Sequence, residues 1–203
     1  ETSKSYPIYD LKPEKTNSWE VGLTFKAFNG FSLDVSYYDT RTFNQTFDSQ
    51  LSVSSGYTKL YVQTGNVRNN GIELALGYER QWGNFGWNTN YTFSTNNNKV
   101  LELMENYTHP ETNNVITLDQ LKVGGSGNAA FVLTPGGTLG DLYTTVDLNR
   151  DDQGNVYIDR DGNISRNTEI GYKKLGSVFS KANMAWNNEF NVAGVNFGFM
   201  ISA

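Results

Sequence analysis

Residues 70–94, NGIELALGYERQWGNFGWNTNYTFS, alternate between two kinds of side chain with a period of two. Ile72, Leu74, Leu76 and Tyr78 fall on one side of the first run, Gly71, Glu73, Ala75 and Gly77 on the other. Successive side chains of an extended chain point to opposite faces, so the pattern predicts a strand from Asn70 to Glu79. Arg80-Gln81-Trp82-Gly83-Asn84 reads as a short turn. Beyond it, Phe85, Trp87, Tyr91 and Phe93 alternate against Gly86, Asn88, Asn90, Thr92 and Ser94. The pair is a β-hairpin with one aromatic, apolar face and one face of amides, hydroxyls and glycine.

The same pattern recurs on both sides. Upstream, Trp19, Val21, Leu23, Phe25 and Ala27 share a face, Asn29-Gly30 supplies the positive φ of a tight turn, and Phe31, Leu33, Val35 and Tyr37 follow. Downstream, a strand from Ala182 to Phe190 places Met184, Trp186 and Phe190 together, with Asn188 interrupting the apolar side. Asn191 to Gly194 turns the chain into Val195, Phe197, Phe199 and Ile201. Within each hairpin the strands are joined tightly, whereas residues 39–69 and 95–181 form long connections. Both long connections leave the same end of the sheet. An all-β, antiparallel up-and-down transmembrane β-barrel has this asymmetry, with short periplasmic turns and long extracellular loops. Six strands fall short of the roughly eight that close the smallest bacterial barrels, so this reading requires further strands.

A soluble β-sandwich has the same periodicity and would make the chain a β-rich carbohydrate-binding or adhesin module. The two readings part over Trp19, Leu23, Leu74, Trp87, Tyr91, Phe197 and Phe199. A barrel turns these outward as an apolar band, whereas a sandwich covers them with a second sheet.

Composition narrows the function classes. A formal net charge of -5 leaves no basic surface for nucleic acid. The absence of cysteine removes disulfides and thiolate metal sites. Mean hydropathy of -0.52 is compatible with a membrane barrel, because its strands alternate lipid-facing and lumen-facing residues.

The residues with most chemistry are Asp147, Asn149, Asp151 and Asp159, interleaved with Asp152, Asp161, Gly154 and Gly162. Oxygen donors at alternate positions of a glycine-containing loop suit calcium. The run departs from an EF-hand loop, with Asp152 in place of the sixth-position glycine and Ile158 in place of the twelfth-position acid. A solvent-exposed turn held by Asx-type bonds is the alternative. His109 is the single histidine, so zinc and Ser-His-Asp chemistry lack material and no enzyme activity is expected. Gly124-Gly125-Ser126-Gly127 has no helix pattern after it and reads as a flexible turn rather than a phosphate cradle. Tyr57, Tyr61, Tyr107, Tyr143 and Tyr157 lie in the long connections. They are candidates for stacking on sugar or contacting a partner, with ordinary loop packing as the alternative.

Several blocks occur in an order that resembles the late-barrel part of SusC/RagA-type TonB-dependent transporters of Bacteroidetes. They are Leu11-Lys12-Pro13-Glu14 leading to Glu20-Val21-Gly22, then Leu33-Asp34-Val35-Ser36-Tyr37-Tyr38, then Gly65-Asn66-Val67-Arg68-Asn69-Asn70-Gly71-Ile72-Glu73-Leu74. Asp147-Leu148-Asn149-Arg150-Asp151 and Tyr172-Lys173-Lys174-Leu175-Gly176-Ser177 resemble that family's acidic loop and strand re-entry. The resemblance implies a 22-stranded outer-membrane barrel, of which residues 1–203 are a part without the plug domain or the TonB box. It further implies uptake of oligosaccharides or peptides with energy delivered through TonB. The implied partners are the rest of the barrel and its plug, a SusD-like surface lipoprotein acting as a lid, and membrane lipid or lipopolysaccharide.

Overall fold

A computed structural model describes residues 5–6, 11–27, 30–50, 59–63, 65–105, 107–108, 113 and 115–203. The chain divides into two compact units: residues 15–42, 67–98 and 180–203 make one, residues 1–14, 43–66 and 99–179 the other.

The first unit is a wall of six long strands, β1 (Lys15–Ala27), β2 (Phe31–Phe43), β3 (Asn66–Trp82), β4 (Phe85–Ser94), β5 (Asn183–Val192) and β6 (Val195–Ser202). They lie in one sheet in the order in which the chain makes them, and a short strand, Asn97–Val100, also pairs with β3. The predicted up-and-down meander is therefore present. Register explains the two faces, because residues directly opposite in antiparallel strands share a side. Phe190 lies between Trp87 and Phe197, and Trp186 between Tyr91 and Ile201, whereas Glu189 lies between Asn88 and Gly198.

The apolar face is exposed: Trp19 retains 53% and Phe197 55% of its accessible surface. A sandwich face would be covered. At the tight-turn end, Trp82 stacks on Phe85 at 5.8 Å, and Phe190 on Phe197 at 5.0 Å. Arg80 lies over the Trp82 ring at 5.2 Å, its charge carried toward that end on an apolar stem. Asn188 is polar on this face and yet only 1% exposed. Its Oδ1 accepts the Trp87 indole N–H at 3.2 Å, while the Trp186 indole donates to Thr89 at 2.8 Å. The Asn188 Nδ2 has no hydrogen-bond partner among the described residues.

Glycine sits where the other face is crowded. A Cβ at Gly71 would collide with the Thr95 carbonyl and the Tyr38 phenol. Two tight turns are shorter than expected: β3 continues to Trp82, leaving Gly83 and Asn84, and Ala193 and Gly194, both at positive φ, close β5 to β6. Asn29 lies outside the described residues, but Gly30 has the expected positive φ of 80°. At their far ends the strands outrun the sequence reading, since β1 starts at Lys15, β2 reaches Phe43 and β3 starts at Asn66. Polar residues occupy both faces there, so the backbone ladder continues after the hydropathy pattern has stopped.

The long connections are not irregular. Leu121–Ser126, Ala129–Leu133, Asp141–Thr144 and Lys173–Ser177 form a four-stranded antiparallel sheet in that order. Val62, Val100, Leu103, Leu121 and Leu133 make a dry core, and Ala130, Val132 and Tyr143 a second cluster. Two expectations need correction. Gly124 and Gly125 belong to a strand, opposite Phe131 and Ala130, and only Gly127 turns. Lys173–Ser177 pairs with Asp141–Thr144 in this loop sheet instead of re-entering the wall, which resumes at Asn183. A run of five residues carries no signal of which sheet it joins.

Candidate functional site

The polar face of the wall is a continuous hydrogen-bonding surface. On β1 and β2, Ser18 and Thr40 hydroxyls meet at 2.8 Å and Thr16 and Thr42 at 3.3 Å, and Thr24 donates to the Asp34 carboxylate. On β4 to β6 the surface becomes a field of amides. Asn90 donates to Asn88 at 3.0 Å, and Asn191 to Asn196 at 2.5 Å. Two open hollows indent this face. One of about 580 Å³ is bordered by Glu20, Asp34, Glu73, Thr92 and Asn183. The other, of about 740 Å³, is bordered by Glu79, Asn88, Asn187, Glu189 and Asn196. Amides and hydroxyls both give and accept hydrogen bonds, so such a surface holds polar solutes weakly and reversibly.

In the loop unit the acidic run is built from a tandem octad that the sequence reading missed. Asp151-Asp152-Gln153-Gly154-Asn155 is repeated as Asp159-Arg160-Asp161-Gly162-Asn163. In the first copy, Asp151 accepts the N–H groups of Gln153 and Asn155 at 2.9 and 2.8 Å. Asp159 does the same with Asp161 and Asn163. Gly154 and Gly162 take the left-handed φ of 85° and 83° that each turn requires. The flanking residues pair as Arg150 with Val156 and Ile158 with Ile164.

These contacts set the charges. Hydrogen bonds from the Asn155 side chain and backbone hold the Asp151 carboxyl below the usual range, and those from Asn163 do so for Asp159. The Lys173 ammonium, bonded to Asp147, depresses that carboxyl, helped by the Leu148 N–H. Asn149 donates to Ser165 at 2.7 Å. Among the described residues, no three His, Asp or Glu side chains come together as a metal site. Thus Asp147, Asn149, Asp151 and Asp159 have separate partners rather than one shared centre.

A different carboxylate is the buried one. Asp141 is 1% exposed, accepts the Thr138 hydroxyl at 2.6 Å and its N–H at 3.0 Å, and binds the Lys174 ammonium. Burial pushes its pKa up, but Lys174 and Thr138 together outweigh burial and hold it low. Only the Thr138-x-x-Asp141 spacing signalled this in the sequence. Of the loop tyrosines, Tyr143 is core and Tyr157 is 59% exposed. Tyr61 is also exposed. Tyr57, the Tyr107 side chain and His109 lie outside the described residues.

Comparison with known proteins agrees with this geometry. The family described as TonB dependent receptor-like, beta-barrel matches residues 2–163. TonB-dependent receptor P3 of Formosa agariphila is 22% identical over 213 residues, covering 96% of this chain and 20% of that protein. TonB-dependent receptor P26 of the same organism is 29% identical over 96 residues, covering 46% of this chain and 10% of that protein. Among solved structures, the RagAB peptide transporter superposes with a TM-score of 0.67 at 18% identity, covering 93% of this chain and 21% of that one. The RagAB peptide importer in its open-open state gives 0.59 at 18% identity over 98% of this chain and 21% of that one. The chain thus spans a fifth or less of the curated relatives it matches. The family is one of receptors and not of enzymes. The chain belongs to the TonB-dependent receptor-like β-barrel family, whose place is the outer membrane of Gram-negative bacteria.

Proposed function

We propose that this chain supplies a wall segment and surface loops to an active transporter that imports peptides or oligosaccharides across the outer membrane. TonB delivers the energy, and a SusD-like surface lipoprotein serves as partner. The observation that carries the reading is the inverted wall, apolar toward the outside and amide-rich on the face that lines a lumen. That lining offers hydrogen bonds to backbone amides or sugar hydroxyls, which suits the passage of a polar solute. The similarity to a peptide transporter favours peptides as the first substrate class to test.

For the acidic octads the reading is turn architecture rather than calcium binding, supported by the N–H groups that already occupy the Asp151 and Asp159 oxygens. Cells expressing the full-length protein should take up fluorescent oligopeptides only with TonB present, and poorly once the adjacent lipoprotein is deleted. Uptake that persists at full rate without TonB would sink the proposal. A calcium-dependent gain in amide protection across residues 147–166 would reverse the reading of the octads.

A further inference from the structure

Of the seams between wall strands, those of β1–β2, β3–β4 and β5–β6 are closed by short connections that hold the strands in step. The other two have no such constraint, since residues 44–65 separate β2 from β3 and residues 95–182 separate β4 from β5. Periodicity alone leaves the β4–β5 register open. A shift of one residue would turn the apolar face inward, but a shift of two restores the alternation. On the lumen face such a shift is nearly silent, because Gly86, Asn88, Asn90, Thr92 and Ser94 would again meet polar or small residues of β5. On the outward face one rung differs from the rest. Thr89 lies opposite Asn188, in a ladder that otherwise sets Phe85, Trp87, Tyr91 and Phe93 against Val192, Phe190, Trp186 and Met184.

Two indoles cross that rung in opposite directions. Trp87 on β4 donates to Asn188 Oδ1 at 3.2 Å, and Trp186 on β5 donates to Thr89 Oγ1 at 2.8 Å. The Thr89 hydroxyl donates onward to the Asn187 carbonyl at 3.2 Å. Trp87-Asn88-Thr89 and Trp186-Asn187-Asn188 are thus one device used twice, an indole two residues before a polar acceptor, related by the local two-fold axis of the antiparallel pair. Each indole reaches diagonally past the residue opposite it. A shift by two residues therefore takes both donors off their acceptors together, to directly opposite positions in one direction and to four residues apart in the other. The Asn188 Nδ2 left without a partner among the described residues is a cost that an apolar side chain would not carry. Buried polar groups held at such a cost serve pairing specificity, register above all. Side chains bridge the β2–β3 seam on this face too, where Arg68 Nε donates to Asp39 at 2.7 Å and Asn70 to the Tyr37 hydroxyl at 3.4 Å. We propose that Trp87, Thr89, Trp186 and Asn188 form a register clasp that selects the one alignment in which the β5–β6 hairpin pairs with β4. The clasp acts in assembly of the wall and stands apart from the substrate and energy source proposed above.

Oxidative cross-linking of the full-length protein in its native membrane, in a background without other cysteines, reads the register from lumen-facing positions. Asn90→Cys with Asn187→Cys reports the native alignment, in which the two residues are directly opposite, and Asn90→Cys with Ala185→Cys or Glu189→Cys reports a shift by two in either direction. Trp87→Phe/Trp186→Phe keeps the rings and removes both donors, whereas Thr89→Val/Asn188→Leu removes both acceptors and the buried amide. In each, the ratio of native to shifted cross-link should fall roughly tenfold, the size expected for two lost cross-strand hydrogen bonds. Thr89→Val/Asn188→Leu should do so without lowering the melting temperature, an outcome that a merely stabilising role would not give. Tyr91→Phe, which removes a hydroxyl from the same seam outside the clasp, should leave the ratio at its parent value. An unchanged ratio in both double variants, or an equal fall in Tyr91→Phe, would overturn the clasp.

Discussion

The wall and the loop unit obey opposite rules of burial. In the loop unit Val62, Val100, Leu103, Leu121 and Leu133 are dry and the acidic octads are exposed, as in any protein folded in water. In the wall, Trp19, Val21, Leu23, Phe197 and Phe199 are exposed, while Asp39, Gly71 and Asn188 are buried. The strands of both are hydrogen-bonded alike, so the difference comes from the solvent each region meets. Hydrocarbon welcomes an apolar exterior and water does not.

The comparison breaks most decisively if the wall can live in water. The isolated 203-residue chain should aggregate without detergent, because it would expose its apolar face and the edges of β1 and β6 together. A monodisperse, cooperatively unfolding species by ultracentrifugation and denaturant titration would refute the contrast. Next in size is the water-type core. Leu133→Ala in the full-length protein should cost the loop unit about 2–5 kcal/mol. All four tryptophans lie in the wall, so hydrogen exchange across residues 121–144 should rise while tryptophan emission stays unchanged.

A paired substitution sharpens the contrast within the wall itself. Leu76→Arg, on the outward face opposite Tyr91, should destabilise the folded barrel in lipid by roughly 2–4 kcal/mol, as charges do near the bilayer midplane. Thr92→Arg, on the lumen face opposite Ala75 and Ala185, should cost less than about 0.5 kcal/mol. Equal costs in urea unfolding from vesicles would mean that the two faces see the same medium.

The smallest expected effect concerns acid. Asp141, Asp147, Asp151 and Asp159 all ionise more readily in the folded loop unit than in an unfolded chain. The unfolded chain therefore takes up protons first as pH falls. Their stabilisation is complete above the ordinary carboxylate pKa of about 4 and fades as pH drops through the lower folded values. Amide protection in residues 138–177 should decline over that window before protection in β4 does. Loss of protection on raising the pH from 5 to 8 would contradict these assignments.

The wall was legible in the sequence because membrane strands are short-range objects. Alternation at Ile72, Leu74, Leu76 and Tyr78, or at Val195, Phe197, Phe199 and Ile201, needs only the pleat and a one-sided solvent, and the tight turns fix which strands are neighbours. The loop unit was illegible for the converse reason. Its strands average a few residues, carry glycine, and pair over long separations, as when Asp141–Thr144 meets Lys173–Ser177. Even the octads, visible as a repeat, gave no sign of whether their carboxylates would converge on an ion or turn back on their own backbone.

Sequence by itself determined the six wall strands, their order and the chemistry of each face, since period-two alternation and turn residues act within a few positions of the chain. Only the tertiary structure decided that Asp39 would be consumed by Arg68, that Asp141 would be buried under Lys174, and that the long connections would build a core of their own. Those outcomes depend on which distant side chains share a small volume, and pairing across space leaves no periodic trace along the chain.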